Sequence, residues 1–108
     1  MNRVYISGGI TNVPDYKDKF GDAESKLKAL GYSVINPARV NDMLPTDLTY
    51  DEYMKLDYTM LDLCDAIYLI PGWNNSQGSK LELERALEYN YRIMTIDNLV
   101  EEMYKENE

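Results

Sequence analysis

The stretch Cys64-Asp65-Ala66-Ile67-Tyr68-Leu69-Ile70-Pro71-Gly72-Trp73, continuing through Asn74-Asn75-Ser76-Gln77-Gly78 into Ser79-Lys80-Leu81-Glu82, decides the fold. Residues 65–70 are apolar almost without interruption rather than alternating. A strand buried on both faces reads this way, and such strands lie at the centre of parallel sheets. Pro71-Gly72 stops the strand, residues 71–78 form a loop, and residues 79–89 read as a helix. Upstream, residues 3–7 are β-branched and aromatic and read as a first strand, ended by Gly8-Gly9. Residues 15–30 form a helix with Phe20, Ala23, Leu27 and Leu30 on one face, with Pro14 before it and Gly31 after it. Residues 32–35 are a second strand stopped by Asn36-Pro37, a loop covers residues 38–49, and residues 50–63 are a helix. Downstream, residues 92–96 are a fourth strand, residues 97–104 a short helix, and residues 105–108 a frayed tail.

Alternating strands and helices specify an α/β domain: a parallel sheet with helices on both faces and right-handed crossovers. A chain of 108 residues is enough for one domain, so residues 1–108 are read as a single unit. The start, Met1-Asn2-Arg3, has neither a basic leader nor a cleavage site, which argues against a signal peptide. No run of about 18 apolar residues is present to span a membrane.

Composition narrows the chemistry. Histidine is absent and Cys64 is the one cysteine, so the commonest general base, the commonest zinc ligand and any internal disulfide are excluded. Acid–base work falls to carboxylates, tyrosines or lysines, and a cytoplasmic protein is expected. A net charge of −8 disfavours nucleic acid as a partner, because neutralising phosphates needs a basic face. Ten tyrosines suit half-buried surfaces with a wet end, such as a dimer interface or a nucleoside pocket.

Ligands of open parallel sheets bind beyond the carboxyl ends of the strands. Three loops lie there: Ser7-Gly8-Gly9, Asn36-Pro37 and residues 71–78, the last carrying Trp73. Ser7-Gly8-Gly9 allows close approach of backbone to a ligand, or is a plain turn with positive φ. Glu82 sits near the mouth of this crevice, although Ser79 and Glu82 also have the spacing of a capping box. Asp57 lies on the apolar-rich stripe of its helix, where a carboxylate is either paired, with Lys55 or a backbone N–H, or functional. Trp73 can stack on a base or cover the core. Two carboxylates without histidine suit glycosyl chemistry, one attacking an anomeric carbon while the other steers the leaving group.

These residues resemble the nucleoside 2-deoxyribosyltransferase superfamily, and most closely its small bacterial and phage domains. The carrying segments are residues 4–11, residues 31–37, Tyr53-Met54 with Asp57, residues 64–73, and Ser76 with Gly78 and Glu82. The resemblance implies a flavodoxin-like (Rossmann-like) three-layer fold with a four- to five-stranded parallel sheet, a homodimer or higher oligomer, and no cofactor or metal. It implies cleavage or transfer of the N-glycosidic bond of a 2′-deoxynucleoside or its 5′-monophosphate. Glu82 matches the family's nucleophile. Asp57 matches an assisting aspartate and Tyr5 the tyrosine of the first strand. Ser76 matches a phosphate-contacting serine of the monophosphate hydrolases, and Ser7, Gly8, Gly9, Gly78 and Trp73 complete the expected substrate site. Where those hydrolases carry a serine and an arginine in the first loop, this chain has Gly9 and Thr11. Two other readings belong to other classes: a nucleotide-binding or sensing module without catalysis, and a protein-interaction domain built on the tyrosines and Trp73.

Overall fold

The computed structural model describes residues 2–106. Four strands, β1 (Arg3–Ser7), β2 (Ser33–Ile35), β3 (Ala66–Leu69) and β4 (Arg92–Met94), form a single parallel sheet in the order β2-β1-β3-β4. This is the flavodoxin-like order, with no fifth strand among the described residues. Side chains alternate across it. Val4, Ile6, Ala66, Tyr68 and Met94 join Phe20, Ala23 and Leu27 of α1 (Tyr16–Ala29) and Leu99 of α5 (Ile96–Glu106) in one core. Tyr5, Ile67 and Leu69 face the opposite way, with Leu61 of α3 (Tyr50–Asp62) and Ala86 of α4 (Gln77–Glu88). The period of two along β1 therefore sends Tyr5 and Ser7 to the α3–α4 side of the sheet. No helix among the described residues is long and apolar enough to cross a membrane.

Local chemistry explains the ends of these elements. α1 closes with Gly31 at φ 94°, the Gly31 N–H bonding Lys28 O (2.9 Å) and the Tyr32 N–H bonding Leu27 O (3.1 Å). Asn90, at φ 61°, closes α4 in the same way, with the Tyr91 N–H on Ala86 O (2.8 Å). Asp65 Oδ1 accepts from the Arg3 N–H at 2.8 Å and so ties the beginnings of the two central strands together.

The sequence reading fails at four places. The expected loop over residues 38–49 begins with a helix, α2 (Pro37–Asn41): Asn36 caps it by accepting from the Ala38 N–H, and Pro37 supplies the preset φ of a first turn. The capping box weighed for Ser79 and Glu82 as the alternative to a functional Glu82 is absent, and the helix expected from Ser79 begins at Gln77. Ser76 is the cap, its Oγ accepting from the Ser79 N–H at 3.2 Å, so α4 starts earlier and Glu82 is released for other contacts. The chain does form a capping box, between Thr49 and Glu52 at the start of α3. β4 ends at Met94, because Asn98 Oδ1 accepts the Thr95 N–H (2.8 Å) and starts α5, whose last turn includes Lys105; the rest of the expected tail, residues 107–108, lies outside the described residues.

Candidate active site

β1 and α4 meet at the carboxyl end of the sheet. Glu82, 5% exposed in the second turn of α4, turns its carboxylate onto β1. The Tyr5 hydroxyl donates to Oε2 at 2.6 Å and the Ser7 Oγ–H to Oε1 at 2.6 Å. Tyr5 and Ser7 are both fully buried, and their spacing of two along one strand is what brings both hydroxyls to one carboxylate. Two hydroxyl donors at this length are short, charge-assisted bonds that fix the carboxylate and favour its anionic form.

Asp57 reaches the same place from α3. Its carboxyl lies within hydrogen-bonding reach of Glu82, and its Oδ1 is buried without a hydrogen-bond partner. Neither Lys55 nor a backbone N–H pairs with that atom, so the structural pairing weighed for Asp57 is absent. Two carboxyls this close cannot both ionise freely. Burial pushes the Glu82 carboxyl well above the usual carboxylate range, and the neighbouring Asp57 charge adds to the push. Burial also raises Asp57, but less, because the hydrogen bond with Glu82 favours the Asp57 anion. The Tyr5 phenol is held neutral, first by burial and then by the two carboxylates, and so remains a donor. Cys64, pushed up to about 12 by burial, is a neutral core thiol.

The first and third loops come together as the β1–β3 pairing requires. A Cβ added at Gly9 would lie 3.8 Å from Ser76 Cβ. Neither Gly8 nor Gly9 has a positive φ, so the plain positive-φ turn is not what this segment forms. Gly8 is instead crowded toward α1, where an added Cβ would lie 3.0 Å from Ile70 Cδ1 and 3.3 Å from Phe20 Cε1. Trp73 is half-buried and packs on the core cluster containing Tyr5, Ile67 and Leu69. Asn36 leaves the group altogether: its amide donates to Glu24 on the α1 side (2.9 Å). Gly78 is in the first turn of α4, beside Ser76 Oγ (3.9 Å from the Cβ position), Met54 Sδ (3.6 Å) and the Tyr50 hydroxyl (3.7 Å).

Tyr50 is the residue that sequence reasoning missed. It was read only as the beginning of a helix; the Thr49–Glu52 spacing was the available signal that this turn is rigidly placed. A groove of about 230 Å3 between α1 and α5, over Tyr68 and Ile70, lies on the other side of the sheet and includes none of these residues. Among the described residues, no group of three or more Cys, Asp or Glu is arranged to hold a metal ion.

Over residues 2–95 the sequence matches the family described as Domain of unknown function (DUF4406). The chain belongs to this family. No curated protein matches the sequence. Among solved structures, the 2-deoxyribosyltransferase of the psychrotolerant bacterium Bacillus psychrosaccharolyticus superposes with a TM-score of 0.70 at 21% identity, over 86% of this chain and 70% of that one. The 2-deoxyribosyltransferase of Leishmania mexicana superposes with a TM-score of 0.66 at 20% identity, over 88% of this chain and 63% of its own. The chain thus spans less than two thirds of the Leishmania protein. At these identities the likeness is one of fold, and this member of the family has the flavodoxin-like, 2-deoxyribosyltransferase-like fold.

Proposed function

We propose that the chain cleaves or transfers the N-glycosidic bond of a 2′-deoxynucleoside or its 5′-monophosphate, with Glu82 as nucleophile. The observation carrying this reading is the Glu82 carboxylate, held by Tyr5 and Ser7 at 2.6 Å each while facing a second, half-buried carboxyl, Asp57. The reacting state has the shared proton on Asp57 and Glu82 as the anion, a state that the hydrogen bonds from Tyr5 and Ser7 favour and that the burial of Glu82 opposes. A Glu82 oxygen forms a bond to C1′ as the C1′–N bond breaks. The bonding pair leaves with the base, which takes the Asp57 proton. Water then attacks C1′ and gives its proton to Asp57. The ester bond breaks, Glu82 departs as carboxylate, and the starting protonation is restored. A second base in place of water completes transfer. Ser76, Gly9 and Gly78 border the place where the 5′ end of the sugar fits, and Trp73 walls it from the core side. A single unit working in the cytoplasm, as a homo-oligomer that covers the exposed Leu63, Leu87 and Tyr89, belongs to the same reading.

The test is chromatography for free base after incubation with 2′-deoxynucleosides and their 5′-monophosphates of the four DNA bases, beside Glu82→Ala. Base released by the wild type and not by the variant is the expected result, with a deoxyribosyl adduct on Glu82 detectable by mass spectrometry during turnover. No base from any of these compounds with folded wild-type protein would overturn the reading.

A further inference from the structure

We infer that Tyr50 is a substrate-contacting residue: its hydroxyl and that of Ser76 face one gap above Gly78 and together hold a sugar or 5′-end oxygen. The inference rests on the reaction proposed above and adds a residue to it. Gly78 has ordinary helical geometry, with no positive φ to demand glycine. A Cβ there would touch Met54 Sδ, Tyr50 Oη and Ser76 Oγ at 3.6–3.9 Å, ordinary contact distances. Neither backbone strain nor crowding explains the missing side chain. What glycine leaves is a methyl-sized gap with two hydroxyls on its border, one from α3 and one from the β3–α4 loop. Ser76 Oγ accepts from the Ser79 N–H, so its own proton remains available to donate. Among the described residues the Tyr50 hydroxyl makes no hydrogen bond within the chain, and the residue is 53% exposed.

The position is fixed as well as open. Tyr50 is the first residue of α3, and the reciprocal Thr49–Glu52 bonds at 3.2 and 2.9 Å hold that turn. Burial and the charges of Glu82, Asp57 and Asp51 hold its phenol neutral, as a donor. Asp57 lies two turns along the same helix, so one rigid element presents both groups to the mouth. A ligand oxygen above Gly78 would accept a hydrogen bond from each hydroxyl.

Two substitutions test this on the panel of deoxynucleosides and monophosphates given above. Tyr50→Phe removes one hydroxyl from an exposed ring, and Gly78→Ala fills the gap without a clash. Both are expected to keep the wild-type melting temperature or raise it. Tyr50→Phe should raise KM about three- to tenfold, the worth of one neutral hydrogen bond, with kcat within about twofold. Gly78→Ala should raise KM at least as much. Wild-type turnover with unchanged KM in Tyr50→Phe would overturn the Tyr50 assignment and leave the glycosidic reading standing. Absence of turnover in the wild type would overturn both.

Discussion

The Tyr5 hydroxyl and the Glu82 carboxylate, 77 positions apart in the chain, lie 2.6 Å apart inside the protein. With Ser7 on the other oxygen, the carboxylate has a dedicated donor for each Oε. Tyr5→Phe keeps the ring and its packing against Leu61 and Ile67 and removes one donor from a buried, charge-bearing group. A loss of about 1–3 kcal/mol is expected from denaturant unfolding at neutral pH. The Glu82 carboxyl should rise further, so the acidic limb of any rate–pH profile moves to higher pH. Stability and pH profile both equal to wild type would show that the bond contributes nothing.

The Asp57–Glu82 pair also sets a slope of stability with pH. Both carboxyls are raised in the folded state, so between the ordinary carboxylate range and those raised values the native protein binds more protons than the unfolded chain. Their contribution is fully present below the unfolded value and is lost as pH rises through the folded ones. Glu82→Gln removes the titration and keeps an acceptor for one hydroxyl. Denaturant titrations should find the variant gaining on wild type as pH increases from about 5 to about 9, with the slope flattened. Parallel curves would rule out a buried carboxyl pair in solution.

The strands and most of the helices were legible because their signals are local: the apolar run at residues 66–69, the β-branched and aromatic residues 4–6, and Gly31 after α1. α2 was not, because a helix of five residues is too short for periodicity, and Asn36-Pro37 serves equally to stop a strand and to start a turn. At the site, Asp57 stood out as a carboxylate on an apolar stripe, and Glu82 by its place at the mouth of the crevice and the family resemblance. That Ser76 and not Ser79 caps α4 needed the packing: Ser79 is 1% exposed inside the fold, which leaves Ser76 to cap. Tyr50 was illegible because its meaning depends on Gly78, 28 positions later in the sequence and on another helix.

Asn36 carries a structural role that its place beyond β2 disguises. It is 6% exposed, its Oδ1 caps α2 through the Ala38 N–H (3.0 Å), and its amide donates to buried Glu24. Glu24 also receives Lys28 Nζ at 2.6 Å and Arg39 Nε at 2.8 Å. Burial opposes ionisation of Glu24, yet Lys28, Asn36 and Arg39 outweigh it and hold the carboxyl below its usual range. The sign is opposite to that of Glu82: this stability is present above the unfolded value and is lost as pH falls through the lowered one. Asn36→Ala should cost about 1–2 kcal/mol at neutral pH. It should also steepen acid unfolding less than wild type, since part of the Glu24 shift is gone. Base release should be unaffected, as Asn36 is on the α1 side of the sheet; loss of turnover in a folded variant would contradict that placement.

Gly8 and Gly21 give opposite expectations from the same substitution. In Gly8→Ala the new methyl would meet Ile70 Cδ1 at 3.0 Å and Ile70 Cβ at 3.1 Å, with Phe20 Cε1 at 3.3 Å. Ile70 is 7% exposed and Phe20 1%, so neither can move aside without disturbing the core between α1 and the sheet. Overpacking of this kind destabilises by about 1–3 kcal/mol. Gly21 lies inside α1 with nothing within 4 Å of an added Cβ. Gly21→Ala therefore gains helix propensity without a clash, a stabilisation of up to about 1 kcal/mol. Thermal unfolding of the two variants beside wild type should place them on opposite sides of it. Since Ile70 follows β3 and Gly8 follows β1, the strain in Gly8→Ala falls where the two loops meet, and turnover should fall in that variant but not in Gly21→Ala. A Gly8→Ala protein as stable as wild type would mean that the β1 loop is looser than its contacts with Ile70 and Phe20 imply.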